Sequence, residues 1–60
     1  MHASLINGRY VVTWPNGDRR IMSDRETAVL RENIALSQPK GPRQLAALAQ
    51  SAILEVASGL

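Results

Sequence analysis

The groups able to do acid–base or nucleophilic chemistry are few. His2 is the only histidine and stands beside the initial methionine, and the 60 residues contain no cysteine. The five carboxylates, Asp18, Asp24, Glu26, Glu32 and Glu55, are scattered along the chain. General acid–base catalysis needs a titratable group within hydrogen-bond reach of the reacting atom, and nucleophilic catalysis needs a base beside the nucleophile. No spacing here supplies either, and a lone histidine cannot build a structural zinc site. No glycine-rich phosphate loop occurs: Gly17 and Gly41 read as a turn and a linker. The expectation is a protein that is not an enzyme and calls for no cofactor and no metal.

Positive charge is the other chemistry available. Six arginines and one lysine face the five carboxylates, for a net charge of +2 and a pI near 10. The excess is local, with Arg9, Arg19 and Arg20 set against Asp18. Guanidinium groups neutralise phosphates, and aromatic rings stack on bases. Arg9, Arg19, Arg20, Lys40 and Arg43 are therefore the candidate nucleic-acid contacts. Tyr10 and Trp14 are the only Phe, Tyr or Trp rings in the chain. A chain so poor in large rings needs them inside, with Arg20 lying across Trp14 as a cation–π cover.

The stretch 9–22 positions these groups. Tyr10, Val11, Val12, Thr13 and Trp14 are β-branched or aromatic types that suit a pleated sheet. Pro15, Asn16 and Gly17 fit a three-residue hairpin loop with glycine in the left-handed position. That register sets Trp14 beside Asp18, Val12 opposite Arg20 and Tyr10 opposite Met22. Upstream, Asn7-Gly8 is a strong two-residue hairpin signal, and it sets Leu5 opposite Tyr10 and Ala3 opposite Val12. Side chains alternate along a strand, so Ala3, Leu5, Tyr10, Val12, Trp14 and Met22 share an inner face. Ile6, Val11, Ile21, Thr13, Arg9 and Arg19 share the outer one.

Two helices follow. Ser23-Asp24-Arg25-Glu26 has the form of a capping box, with acidic residues at the positive end of the dipole. Pro39 disfavours helical geometry at Gln38 and ends this helix. Thr27, Leu30 and Ile34 make one apolar stripe, and Val29 and Leu36 make a second, roughly 120° away at 100° per residue. Pro42 opens the second helix. Leu45, Leu48, Ala49, Ala52, Ile53, Val56 and Leu60 fall on one side of it, and Leu54 stands alone among polar residues. Ala46, Ala49, Ala52 and Ala57 permit another backbone to come close.

The segment Leu45-Ala46-Ala47-Leu48-Ala49 with Val56 resembles part of a helix-turn-helix DNA-binding motif. It departs from that motif at Gln50, where the turn glycine would stand, and it reads as one continuous helix. The resemblance implies a small DNA-binding regulator, which agrees with the basic hairpin as an alternative function.

The fold class expected is α+β: a three-stranded antiparallel meander, or a single hairpin, then two antiparallel helices packed on one sheet face. Residues 1–60 form a single small domain, with strands about 3–6, 9–14 and 18–22 and helices about 24–37 and 42–58. A chain this short buries only about 60% of its unfolded surface, and without disulfides or metal it is expected to gain stability as a homodimer. No apolar run reaches the roughly 18 residues of a membrane span, and no signal peptide is evident, so a cytoplasmic protein with no membrane partner is expected. Val11, Ile21, Arg9, Arg19, Val29, Leu36 and Leu54 are the expected protein interface: surplus apolar groups rimmed by arginine. The function expected is a bacterial or phage-type accessory or inhibitor protein that binds and modulates another protein.

Overall fold

The computed structural model describes residues 1–59; Leu60, expected on the apolar side of the second helix, lies outside them. Three strands, β1 (His2–Ile6), β2 (Arg9–Thr13) and β3 (Arg19–Ile21), form one antiparallel sheet in the order β1-β2-β3. Two helices follow, α1 (Asp24–Ser37) and α2 (Pro42–Ala57). The architecture is the α+β meander with a helical hairpin over it, and the single-hairpin alternative is excluded.

The turns explain the register. Asn7 and Gly8 both have positive φ, 51° and 78°. This is the backbone that a two-residue loop needs to match strand twist, and asparagine and glycine tolerate it best. In the second hairpin the Trp14 amide donates to the Asp18 carbonyl at 2.8 Å, and the Gly17 amide donates to the Trp14 carbonyl at 2.9 Å. Gly17 takes φ 91°. The Asn16 carbonyl oxygen Oδ1 accepts from the Asp18 amide at 3.0 Å, closing the loop on itself. Ala3 faces Val12, Leu5 faces Tyr10 and Val12 faces Arg20. The Met22 amide donates to the Tyr10 carbonyl at 2.8 Å, which continues the ladder past β3.

The core is smaller and plainer than the rings suggest. Val12 and Met22 from the sheet side, Leu30 from α1, and Ala49 and Ala52 from α2 are fully buried, with Ala46 nearly so. Tyr10 and Trp14 are half-buried at its margin, packed against it rather than enclosed by it. The reason is α2: three alanines at its centre let its backbone settle close to α1 and the sheet, and aliphatic side chains fill what remains. Leu45, Leu48 and Ile53 flank the alanines, half-buried. Ala57 stays exposed. Of the six inner-face residues, Leu5 departs most from expectation, being 58% exposed. It lies on the edge strand, with Tyr10 on one side and no strand on the other.

Helix ends follow local rules. Ser23 Oγ accepts from the Glu26 amide at 3.1 Å, and Glu26 Oε1 accepts from the Ser23 amide at 2.9 Å. At the other end Gln38 is left-handed, φ 49°, and its amide donates to the Ile34 carbonyl. Pro39 disfavours the right-handed helical region at Gln38, and the chain turns by a conformation that costs a non-glycine residue roughly 1–2 kcal/mol. Gln44 Oε1 accepts from the Lys40 amide at 2.6 Å, steadying the entry to α2.

Candidate interaction surface

Helices cover only one face of the sheet. α2 packs on β1 and along α1, and α1 reaches β2. The opposite face is open, and the pairing dictates what it shows. Ser4 faces Val11, and Val11 faces Ile21, so one row crosses all three strands. Ile6 and Arg9 form the row on one side, His2, Thr13 and Arg19 the row on the other. Ile21 is 63% exposed and Ile6 46%, while Val11 between the outer strands is half-buried. The surface is an aliphatic strip with a guanidinium at each end.

The two arginines differ. Arg9 Nη2 lies 2.9 Å from Asp24 Oδ1, a pair open to solvent that links β2 to the first residue of α1. Arg31 Nη2 donates to the Gly8 carbonyl at 3.4 Å, a second, weaker tie from α1 to the same end of the sheet. For Arg19, exposed at the far end, the described residues show no such pairing.

Arg20 belongs to the covered face. Its Nη2 donates to Glu26 Oε2 at 2.7 Å, and the Glu26 side chain is only 4% exposed. Burial acts to raise the Glu26 pKa. The Ser23 amide, the Arg20 hydrogen bond and charge, and the Ser23 hydroxyl outweigh it, so the carboxyl sits below its ordinary value. One carboxylate therefore caps α1 with one oxygen and binds the sheet with the other. Sequence reasoning found the cap but missed the pair. The signal was present, since Val12 opposite Arg20 puts that arginine on the helix side.

The structure thus brings together Arg9, Val11, Arg19 and Ile21, with Ile6 added. It does not bring Val29, Leu36 and Leu54 to them. Val29 packs half-buried against the core. Leu36, 78% exposed, and Leu54 lie on helices behind the sheet. The expected interface residues therefore fall on an open sheet face and on separate apolar spots on the helices. Near Leu36, an open cleft of about 320 Å³ lies at the helical elbow, lined by Ser37, Pro39, Gln44, Ala47 and Leu48. No charged side chain lines it.

The nucleic-acid set is divided too. Arg9 and Arg19 are on the open face, Arg20 on the covered one, and Lys40 and Arg43 at the elbow. Arg9 and Arg20 are each paired with a carboxylate. α2 runs unbroken through Gln50, so the helix-turn-helix geometry is not formed. Among the described residues no three His, Asp or Glu side chains are grouped to hold a metal, and no helix is long and apolar enough to cross a membrane. No protein family, no curated protein and no solved structure matches this chain.

Proposed function

We propose that this chain is a small, non-enzymatic interaction module that binds another protein through the open face of its sheet and modulates it. It acts as a bacterial or phage-type accessory or inhibitor protein, works in the cytoplasm and self-associates as a homodimer. The observation that carries this reading is the Ser4–Val11–Ile21 row with Ile6 beside it, an aliphatic strip open to water and bracketed by Arg9 and Arg19. Protein interfaces combine an apolar centre with a polar rim in which arginine is enriched. Pairing of Arg9 and Arg20 with carboxylates weakens the competing nucleic-acid reading, because each pair cancels charge that phosphates would need.

The test begins with capture of partners from the native host by wild type, Ile21→Asp and Val11→Asp, followed by rebinding of the purified partner. The expected result is loss of binding in both aspartate variants and a shallow dependence on salt. Phosphate-driven binding falls steeply with salt. Intact complexes in the aspartate variants, with loss in the Arg19→Ala, Arg20→Ala double variant, would transfer the function to nucleic acid.

A further inference from the structure

The two edges of the sheet are unlike. β3 is three residues long and carries Arg19 and Arg20. Short length and charge are the usual protections of an edge against pairing with another strand. β1 is five residues long, His-Ala-Ser-Leu-Ile, with no proline, lysine, arginine or carboxylate.

The backbone of β1 follows from its turn. A two-residue loop closes on a hydrogen-bonded pair, here Ile6 and Arg9, and such pairs alternate along an antiparallel ladder. Ile6, Ser4 and His2 therefore bond to β2, while the amides and carbonyls of Ala3 and Leu5 point away from it. Tyr10, opposite Leu5, confirms the alternation: its carbonyl accepts from Met22 on the β3 side. Ala3 and Leu5 have no hydrogen-bond partner for these groups among the described residues. The Leu5 side chain belongs to the core face of the sheet yet is 58% exposed, for want of a neighbouring strand.

We infer that β1 is the seam of a homodimer, pairing antiparallel with β1 of a second copy about a two-fold axis at Ser4. This deepens the self-association included in the proposed function and rests on that reading. The register that opposes all five residues sets Ala3 against Leu5 of the other copy, and Leu5 against Ala3. Each such pair exchanges both amide bonds, so the four free groups of each copy are satisfied at once. The geometry is self-complementary, as a two-fold interface requires. Leu5 gains the small Ala3 as its missing neighbour, and the helices of both copies stay on one side of a six-stranded sheet. A second copy meets no like charge along β1, whereas β3 would set arginine against arginine.

The protein lacks cysteine, so single cysteines report the register. In this register Ser4 faces its own copy, and His2 faces Ile6 of the other. Wild type should sediment at twice the 6.5 kDa of the chain. Under mild oxidation Ser4→Cys should cross-link with itself. His2→Cys and Ile6→Cys should each stay uncross-linked alone and cross-link when mixed. Leu5→Pro removes one outward-pointing amide per copy together with the Leu5 side chain at the seam, spares the β1–β2 hydrogen bonds, and should raise the dimer dissociation constant about tenfold or more. Ser4→Lys, a solvent-facing change that spares the core, should raise it about fivefold by setting like charges opposite each other. A monomeric wild type, a dimer indifferent to Ser4→Lys, or equal self-cross-linking at positions 2, 4 and 6 would overturn the seam. If partner binding still depended on Val11 and Ile21 in that case, the open-face reading would survive without it.

Discussion

Val11 and Val12 are neighbours of one residue type on the central strand, and they occupy different solvents. Val12 is fully buried under Leu30 and the α2 alanines, while Val11 stands between Ser4 and Ile21 on the uncovered face. Their backbones lie between the same two strands, β1 and β3, and their side chains have the same volume. What separates them is strand alternation, which sends one valine toward the helices and the other toward water. The covered face holds the fold together. The open face contributes little to it.

The most severe test of that division is to place the same charge on each side. Val12→Asp should leave the chain unfolded, because the whole stability of a domain this size is roughly 3–9 kcal/mol and a carboxylate buried there finds only Arg20 opposite, a guanidinium already held by Glu26. Val11→Asp should keep native far-ultraviolet circular dichroism and a cooperative melt. If both variants melted alike, the two faces would not differ as described.

A gentler cut on the covered side is Leu30→Ala, expected to cost about 2–5 kcal/mol by chemical denaturation. The Ile21→Ala change on the open side should stay within about 0.5 kcal/mol of wild type. Next comes Glu26→Ala, which removes the side-chain half of the capping box and the Arg20 pair while leaving the Ser23 cap, and should cost about 1–2 kcal/mol. The pH dependence has a definite sign. The Glu26 pKa is lowered in the folded state, so its contribution is complete above the ordinary glutamate value and is lost as pH falls through the folded one. Acid should destabilise wild type more steeply than Glu26→Ala over that range, as thermal melts at successive pH values would reveal.

Thr27, on the covered side, carries a defect of the opposite sign. Its hydroxyl is buried without a hydrogen-bond partner, so Thr27→Val, of nearly the same shape, should raise stability by about 1 kcal/mol in the same denaturation assay. The smallest effect belongs to the solvent-exposed Arg9–Asp24 pair. A double-mutant cycle there should give a coupling under about 1 kcal/mol that disappears in high salt. A larger coupling would mean that the open face helps hold α1 to the sheet.

Much of this architecture was legible because its causes are local. Asn7-Gly8 and Pro15-Asn16-Gly17 set two hairpins whose pairing followed residue by residue, and Ser23 with Glu26 marked the start of α1. The candidate surface was legible in part: alternation placed Arg9, Val11, Arg19 and Ile21 together. Val29 and Leu36 looked like one exposed stripe, but one of them packs against the core and the other does not, a distinction that depends on which neighbours each helix meets.

Periodicity and punctuation are written along the chain: where strands turn, where helices start and stop, and which side chains share a face. These rest on backbone sterics and hydrogen bonds between residues a few positions apart. How deeply each face is covered depends on the packing of elements distant in the chain. The α2 alanines bring the backbones close enough for Val12, Met22 and Leu30 to be sealed, which leaves Tyr10 and Trp14 at the margin and Leu5 in water. The joining of Arg20 to Glu26 likewise depends on packing. Burial is a property of surfaces brought together from distant parts of the chain, and no local pattern carries that distance.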